Sequence, residues 1–189
     1  RHEKPQAGRF RQFSQLGVEI LGSEMPVCDA EAIALCADFF SILGIRVELI
    51  TNSVGDLDCR PAYIEDLKKY LEDNAGELCD DCRRRMRVNP LRVLDCKAER
   101  CARVVANAPD LADFLCEACR DHYAGVEELL LAAGIDFRRD GRLVRGLDYY
   151  TRTVFEFQDP ALGGQNALAA GGRYDHLVEE LGGKPTPAV

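Results

Sequence analysis

Apolar and polar residues follow two rhythms along this chain: a two-residue alternation near both ends and a helical period through the middle. Residues 1–22 predict strand, loop and strand, with Lys4-Pro5-Gln6-Ala7-Gly8 supplying the turn. In the second of these strands Phe13, Gln15, Gly17 and Glu19 share one face, and Leu16, Val18 and Ile20 the other. Polar groups above and aliphatics below suit a strand that floors a ligand site over a core. A helix is then predicted from Asp29, as its N-cap, to about Leu43, with Gly44 ending it. Ile33, Ala37, Phe40 and Leu43 recur at helical spacing as its buried face. Arg46 to Asn52 alternates again, as a strand.

The rhythm changes at Ser53-Val54-Gly55-Asp56, and residues up to about Gly134 are helical in pattern and rich in charge. Pro61 to Asn74 predicts a helix with proline in its first turn. Glu77 to Val88 predicts another, carrying the run Arg83-Arg84-Arg85-Met86-Arg87, and Asn89-Pro90 breaks it. A third spans Cys116 to Ala133. Strand character returns from Ile135 to Phe157, with a turn at Asp140-Gly141. A loop at Leu162–Asn166, a glycine-ended strand at Ala167–Gly172 and a short helix at Tyr174–Leu181 follow. The reading is an α/β (α+β) chain in three parts: a first core part at 1–55, an inserted, mostly helical subdomain at 56–134, and a second core part at 135–189.

Composition narrows the function classes. The chain has 189 residues, 47% hydrophobic and 30% charged, an ordinary globular balance. No apolar run approaches the roughly 20 residues of a membrane span, and RHEKPQAGRF lacks the apolar segment of a signal peptide. A cytoplasmic location without membrane contact is the expectation. The net charge of −8, from 24 basic and 32 acidic residues, argues against avid unaided binding to nucleic acid.

Three stretches carry candidate chemistry. Leu143-Val144-Arg145-Gly146-Leu147-Asp148-Tyr149-Tyr150 places an arginine beside a glycine, so that its neighbour has no Cβ to obstruct a ligand. Ala170-Gly171-Gly172-Arg173-Tyr174-Asp175 is a second such stretch, and Arg1-His2-Glu3 with Arg9-Phe10-Arg11-Gln12-Phe13 a third. The first two resemble the signature motifs of the histidyl-tRNA synthetases, and the third resembles motif 2 of the class II synthetases. The three occur in family order over nearly the whole chain. The resemblance implies an antiparallel sheet flanked by helices. It also implies activation of histidine by ATP with Mg²⁺ and transfer to tRNA(His), in a protein that is a homodimer at full length.

The site roles that follow are likewise those the resemblance implies. Arg1 stands by the α-phosphate and the substrate carboxylate, Glu3 near the adenine, Arg9 at the γ-phosphate, and Phe13 on the adenine ring. Arg145 bridges carboxylate and α-phosphate, so Arg145 and Arg1 are the catalytic pair. The planar guanidinium suits this because it grips two oxygens and keeps its charge. Glu19 and Tyr150 address the two nitrogens of the histidine ring, which differ as donor and acceptor. Gln15 holds the α-amino group with Tyr174 near it, and Tyr149 lines the pocket. Two adjacent tyrosines on one strand point to opposite faces, so one of the pair is expected to be structural. Motif 1, motif 3 and an anticodon-binding domain are not matched, so these residues are expected to hold part of an active site and not to aminoacylate alone. The alternative is a non-catalytic histidine-binding paralogue, of the type of the regulatory subunit of ATP phosphoribosyltransferase. The intact arginines and RGLDYY run favour the enzyme.

Nine cysteines without a secretory signal point to thiols or metal instead of disulfides. Cys28, Cys36 and Cys59 stand singly and read as small buried hydrophobes. Cys79-Asp80-Asp81-Cys82 and Cys116-Glu117-Ala118-Cys119 are CxxC pairs, with Cys96 and Cys101 between them. Cys79, Cys82, Cys116 and Cys119 could together chelate zinc; the other reading is free or buried thiols. The arginine run at 83–87 either touches tRNA phosphates or forms a solvated helix face beside Asp80 and Asp81.

Overall fold

The computed structural model describes residues 12–145, 148–162 and 166–189. Its centre is a four-stranded sheet in the order β2-β1-β3-β4, formed by β1 (Glu48–Ser53), β2 (Arg138–Arg139), β3 (Thr151–Gln158) and β4 (Ala167–Arg173). β1, β3 and β4 are antiparallel, as expected, and the short β2 joins β1 in parallel at the edge. Alternation along β3 divides the molecule into two layers. Phe155 and Phe157 pack with Leu49 of β1 against α1 (Pro26–Ile42) and α6 (Glu117–Ala132), through Ile33, Phe40, Val126 and Leu130. Val154 faces the other way and joins a second core, made by the helical insertion. Each such fully buried aliphatic or aromatic side chain contributes roughly 1.5–3 kcal/mol.

α1 begins earlier than the sequence suggests. Pro26 occupies its first turn after Met25, where a missing N–H and a fixed φ cost nothing. Asp29 is therefore not a cap but a buried residue inside the first turn. Gly44, at φ +67, ends the run as expected. Leu43 is no part of the buried stripe: it follows the last helical residue and is 54% exposed. The strand expected across Phe13–Ile20 is likewise not found. The described residues before Ile20 join no ladder, and pairing begins where Ile20 and Gly22 meet Val189 and Pro187. The partner strand expected at the chain start lies outside the described residues.

The stretch expected as the inserted subdomain, 56–134, contains α2 (Arg60–Asp73), α3 (Asp80–Val88), α4 (Leu91–Leu94) and α5 (Glu99–Ala106), with 3₁₀ turns at Ala75–Glu77 and Leu111–Phe114, and ends in α6. Tyr63, Leu67 and Leu71 recur four apart on α2 and are buried against Leu78, Val93 and Val104. Asn89 takes an extended conformation before Pro90 and separates α3 from α4, as the pre-proline restriction requires. On α3, Asp80 pairs with Arg83 and Asp81 with Arg84 on the solvated face, so two members of the basic run are matched locally. α6 serves both cores: Cys119 belongs to the insertion's cluster, and Val126 and Leu130 to that of the sheet.

Two contacts tie the insertion to the stretch before β3. Arg60, at the start of α2, donates to the carbonyls of Val54, Gly55 and Tyr150. Asn89 donates to the Asp148 carboxylate at 2.6 Å. Among the described residues no helix is long and apolar enough to cross a membrane.

Candidate active site

The side chains ahead of β3 and those on its polar face form one wall. Arg145 binds Glu156 of β3 through Nη1 at 2.6 Å, and its buried Nε has no partner among the described residues. Glu156 is held in turn by Gln158 at 2.7 Å, and Gln158 by Asn166 at 3.0 Å. A guanidinium fixed at one corner by a strand carboxylate keeps its other donors for an incoming anion.

Three tyrosines stand beside it. The Tyr149 and Tyr150 rings lie 4.6 Å apart and those of Tyr149 and Tyr174 5.9 Å, the latter edge to face. The two adjacent tyrosines therefore share one cluster and do not diverge to opposite faces. β3 begins only at Thr151, and residues 148–149 form a turn, so strand alternation does not govern them. Tyr150 also leans on the insertion's core. Burial and then the neighbouring Glu19 carboxylate push the Tyr174 hydroxyl up to about 12. Burial and then Tyr150 do the same for Tyr149, to about 12, against the opposing pull of Arg145. Both hydroxyls are hydrogen-bond donors at neutral pH.

Beneath this wall lies a buried polar hub. Arg173, fully buried at the end of β4, binds Asp29 through Nη2 at 2.6 Å and Nε at 3.1 Å. It also donates to Asp175 at 2.9 Å and to the carbonyls of Ser23 and Met25. His122 of α6 meets the same Asp29 carboxylate at 3.2 Å. Thr151 exchanges two hydrogen bonds with Asp175, each 3.2 Å. Burial would raise the Asp29 pKa, but bonds from His122 and Arg173 outweigh it and hold the carboxyl below its ordinary range. The glycine pair ahead of Arg173 has a packing reason. A Cβ on Gly171 would lie 2.6 Å from the Phe155 ring, and one on Gly172 2.5 Å from the Thr153 carbonyl oxygen.

The cysteines divide differently from expectation. Cys79 and Cys82 converge with Cys96 and Cys101, whereas Cys116 and Cys119 converge with Asp56 and Cys59. The two CxxC pairs thus do not share one site, because α3 and α6 carry them to separate places. Cys59 is no isolated hydrophobe but a member of the second set.

The sequence model of the histidyl-tRNA synthetase family matches residues 1–189. The chain belongs to the histidyl-tRNA synthetase family. It is 57% identical to a histidine–tRNA ligase of Anaeromyxobacter sp. (strain K) and 52% identical to one of Halothermothrix orenii, in each case across all of this chain. It covers 46% and 45% of those proteins, and so spans about half the length of the curated relatives it matches. Among solved structures, apo histidyl-tRNA synthetase from Staphylococcus aureus is similar at a TM-score of 0.67 and 36% identity, over 90% of this chain and 42% of that one. An ATP phosphoribosyltransferase regulatory subunit/histidyl-tRNA synthetase from Bacillus halodurans shares the fold at a TM-score of 0.57 and 19% identity, over 90% of this chain and 48% of that one.

Against the histidyl-tRNA synthetase motifs, the described residues bring Glu19, Arg145, Tyr149, Tyr150 and Tyr174 together. Gln15 and Phe13 are exposed on the unpaired segment, Phe13 at 67%. Arg1, Glu3 and Arg9, with the motif residues Gly146 and Leu147, lie outside the described residues. Sequence reasoning missed Glu156, Asp29 and His122. A single aspartate inside the apolar run VCDAEAIALC is the one sequence signal that could have exposed Asp29.

Proposed function

We propose that this chain forms one wall of the site at which its full-length protein joins histidine to ATP and passes the histidyl group to tRNA(His). The grouping of Arg145 with Glu19 and three tyrosines carries this reading. Arg145 spans the histidine carboxylate and the α-phosphate, countering charge as a carboxylate oxygen attacks phosphorus and pyrophosphate leaves. Mg²⁺ enters with the nucleotide. Glu19 accepts from one ring nitrogen and Tyr150 serves the other, and ligands lacking those nitrogens would leave buried polar groups unpaired. Gln15 and Tyr174 hold the α-amino group, and Tyr149 lines the pocket. Arg1, Glu3, Arg9 and Phe13 bind ATP, with Arg1 the second catalytic arginine. The full-length protein is a cytoplasmic homodimer in this reading. An exposed apolar stripe on α1 (Val27, Leu35, Phe39 and Ile42) supports a further packed surface.

The histidine-binding paralogue is the other reading, and the arginines at 1, 9 and 145 speak against it. Histidine-dependent ATP–pyrophosphate exchange by the full-length protein separates the two. Arg145→Ala is expected to lower it by about 10²–10³-fold. Unchanged exchange would remove Arg145 from the reaction, and histidine binding without any exchange would favour the paralogue.

A further inference from the structure

We propose that the insertion holds two separate structural zinc ions, one bound by Cys79, Cys82, Cys96 and Cys101 and the other by Asp56, Cys59, Cys116 and Cys119. In each set the four ligand atoms lie within 4.8 Å of one another. A tetrahedral zinc with Zn–S bonds of about 2.3 Å sets its sulfurs about 3.8 Å apart. Cys79 and Cys96 are separated by 4.0 Å between sulfurs, and Cys59 and Cys119 by 3.9 Å. That is nearly twice the roughly 2.05 Å of a disulfide.

Both sets are also dressed as metal thiolates are. Backbone N–H groups of Cys79, Ala98 and Asp56 donate to the sulfurs of Cys101, Cys96 and Cys59 at 3.2, 3.4 and 3.4 Å. In the second set the Asp56 carboxylate is oriented by two amides. Its Oδ1 accepts from Asp58 and Cys59, which leaves Oδ2 facing Cys119 at 3.0 Å and Cys116 at 3.7 Å. Thiolate-rich tetrahedral sites of this kind, one with a single carboxylate, select zinc among the common divalent ions. The pairs C-x₂-C and D-x₂-C open helices α3, α6 and α2, so each ion would bind chain segments far apart in sequence.

The test uses the full chain purified under reducing conditions and exchanged into metal-free buffer. Elemental analysis is expected to find about two zinc ions per chain. Cys96→Ser and Cys116→Ser are each expected to retain about one. Alkylation of the unsubstituted chain gives a readout that survives a variant's failure to fold. Cys28 and Cys36 should label equally with and without a chelator, and the seven clustered thiols only after zinc is stripped. Absence of zinc, iron in its place, chelator-independent labelling, or loss of all bound zinc in both variants would overturn the proposal.

Discussion

The two halves of this molecule achieve buried order by opposite means. Under the tyrosine cluster, the sheet and its two long helices are closed by one polar hub in which Arg173 reaches across the fold to Asp29. In the insertion three helices are short, α4 having 4 residues, α5 8 and α3 9, beside the 14 of α2 and the 16 of α6. Isolated helices below about 12–15 residues are marginal, so these depend on the core they share, which runs from Tyr63 and Leu67 to Val104 and Leu115. The sheet packs the smaller apolar cluster and places a fully buried charge pair beside it. Short helices need something that joins distant segments directly, and there the cysteines gather.

That contrast can be broken by experiment. The largest effect is expected from removing the two proposed zinc ions with a chelator: amide exchange across α3–α5 should accelerate by at least about 10³-fold while β1 and β3 hold. Equal acceleration in both regions would erase the distinction. Next comes Arg173→Met, which leaves Asp29 buried without its cation. Urea unfolding should show a loss of about 3–5 kcal/mol, and a loss below about 1 kcal/mol would mean that the hub is not what closes the sheet.

The acid limb of stability reports on the same hub. Because the folded Asp29 carboxyl titrates below its usual range, its stabilisation is complete above about pH 4 and is lost as pH falls further. The substituted protein should show a flatter acid limb.

Gly172→Ala is expected to cost about 1–3 kcal/mol in thermal unfolding, since its methyl would meet the Thr153 carbonyl. The smallest change is expected at Arg84→Ala on the exposed face of α3, under about 0.5 kcal/mol because the pair with Asp81 is solvated.

Much of this fold is legible in the pattern of residues. β1, β3, β4, α2 and α6 follow from period and punctuation alone. What escaped depends on distance along the chain. Asp29 reads locally as a cap, and its buried place is explained by His122 and Arg173, 93 and 144 residues away. The partition of the cysteines has the same origin, since spacing shows which two sulfurs share a helix start but not which pairs meet. The tyrosines were misread for a local reason: the turn at 148–149 suspends the alternation that Thr151 resumes. The site is legible as motifs, whereas Glu156, which holds Arg145, belongs to none of them.

Arg60 sets a limit on how this protein could be shortened. Its guanidinium gathers the carbonyls of Val54 and Gly55, where the chain leaves the sheet, and that of Tyr150, where it re-enters. Joining Gly55 directly to Cys116 would delete α2–α5 together with that clamp while keeping α6 on the sheet, and the Tyr150 carbonyl would lose its donor beside the tyrosine cluster. A trimmed version would have to supply a cation of the same reach from elsewhere.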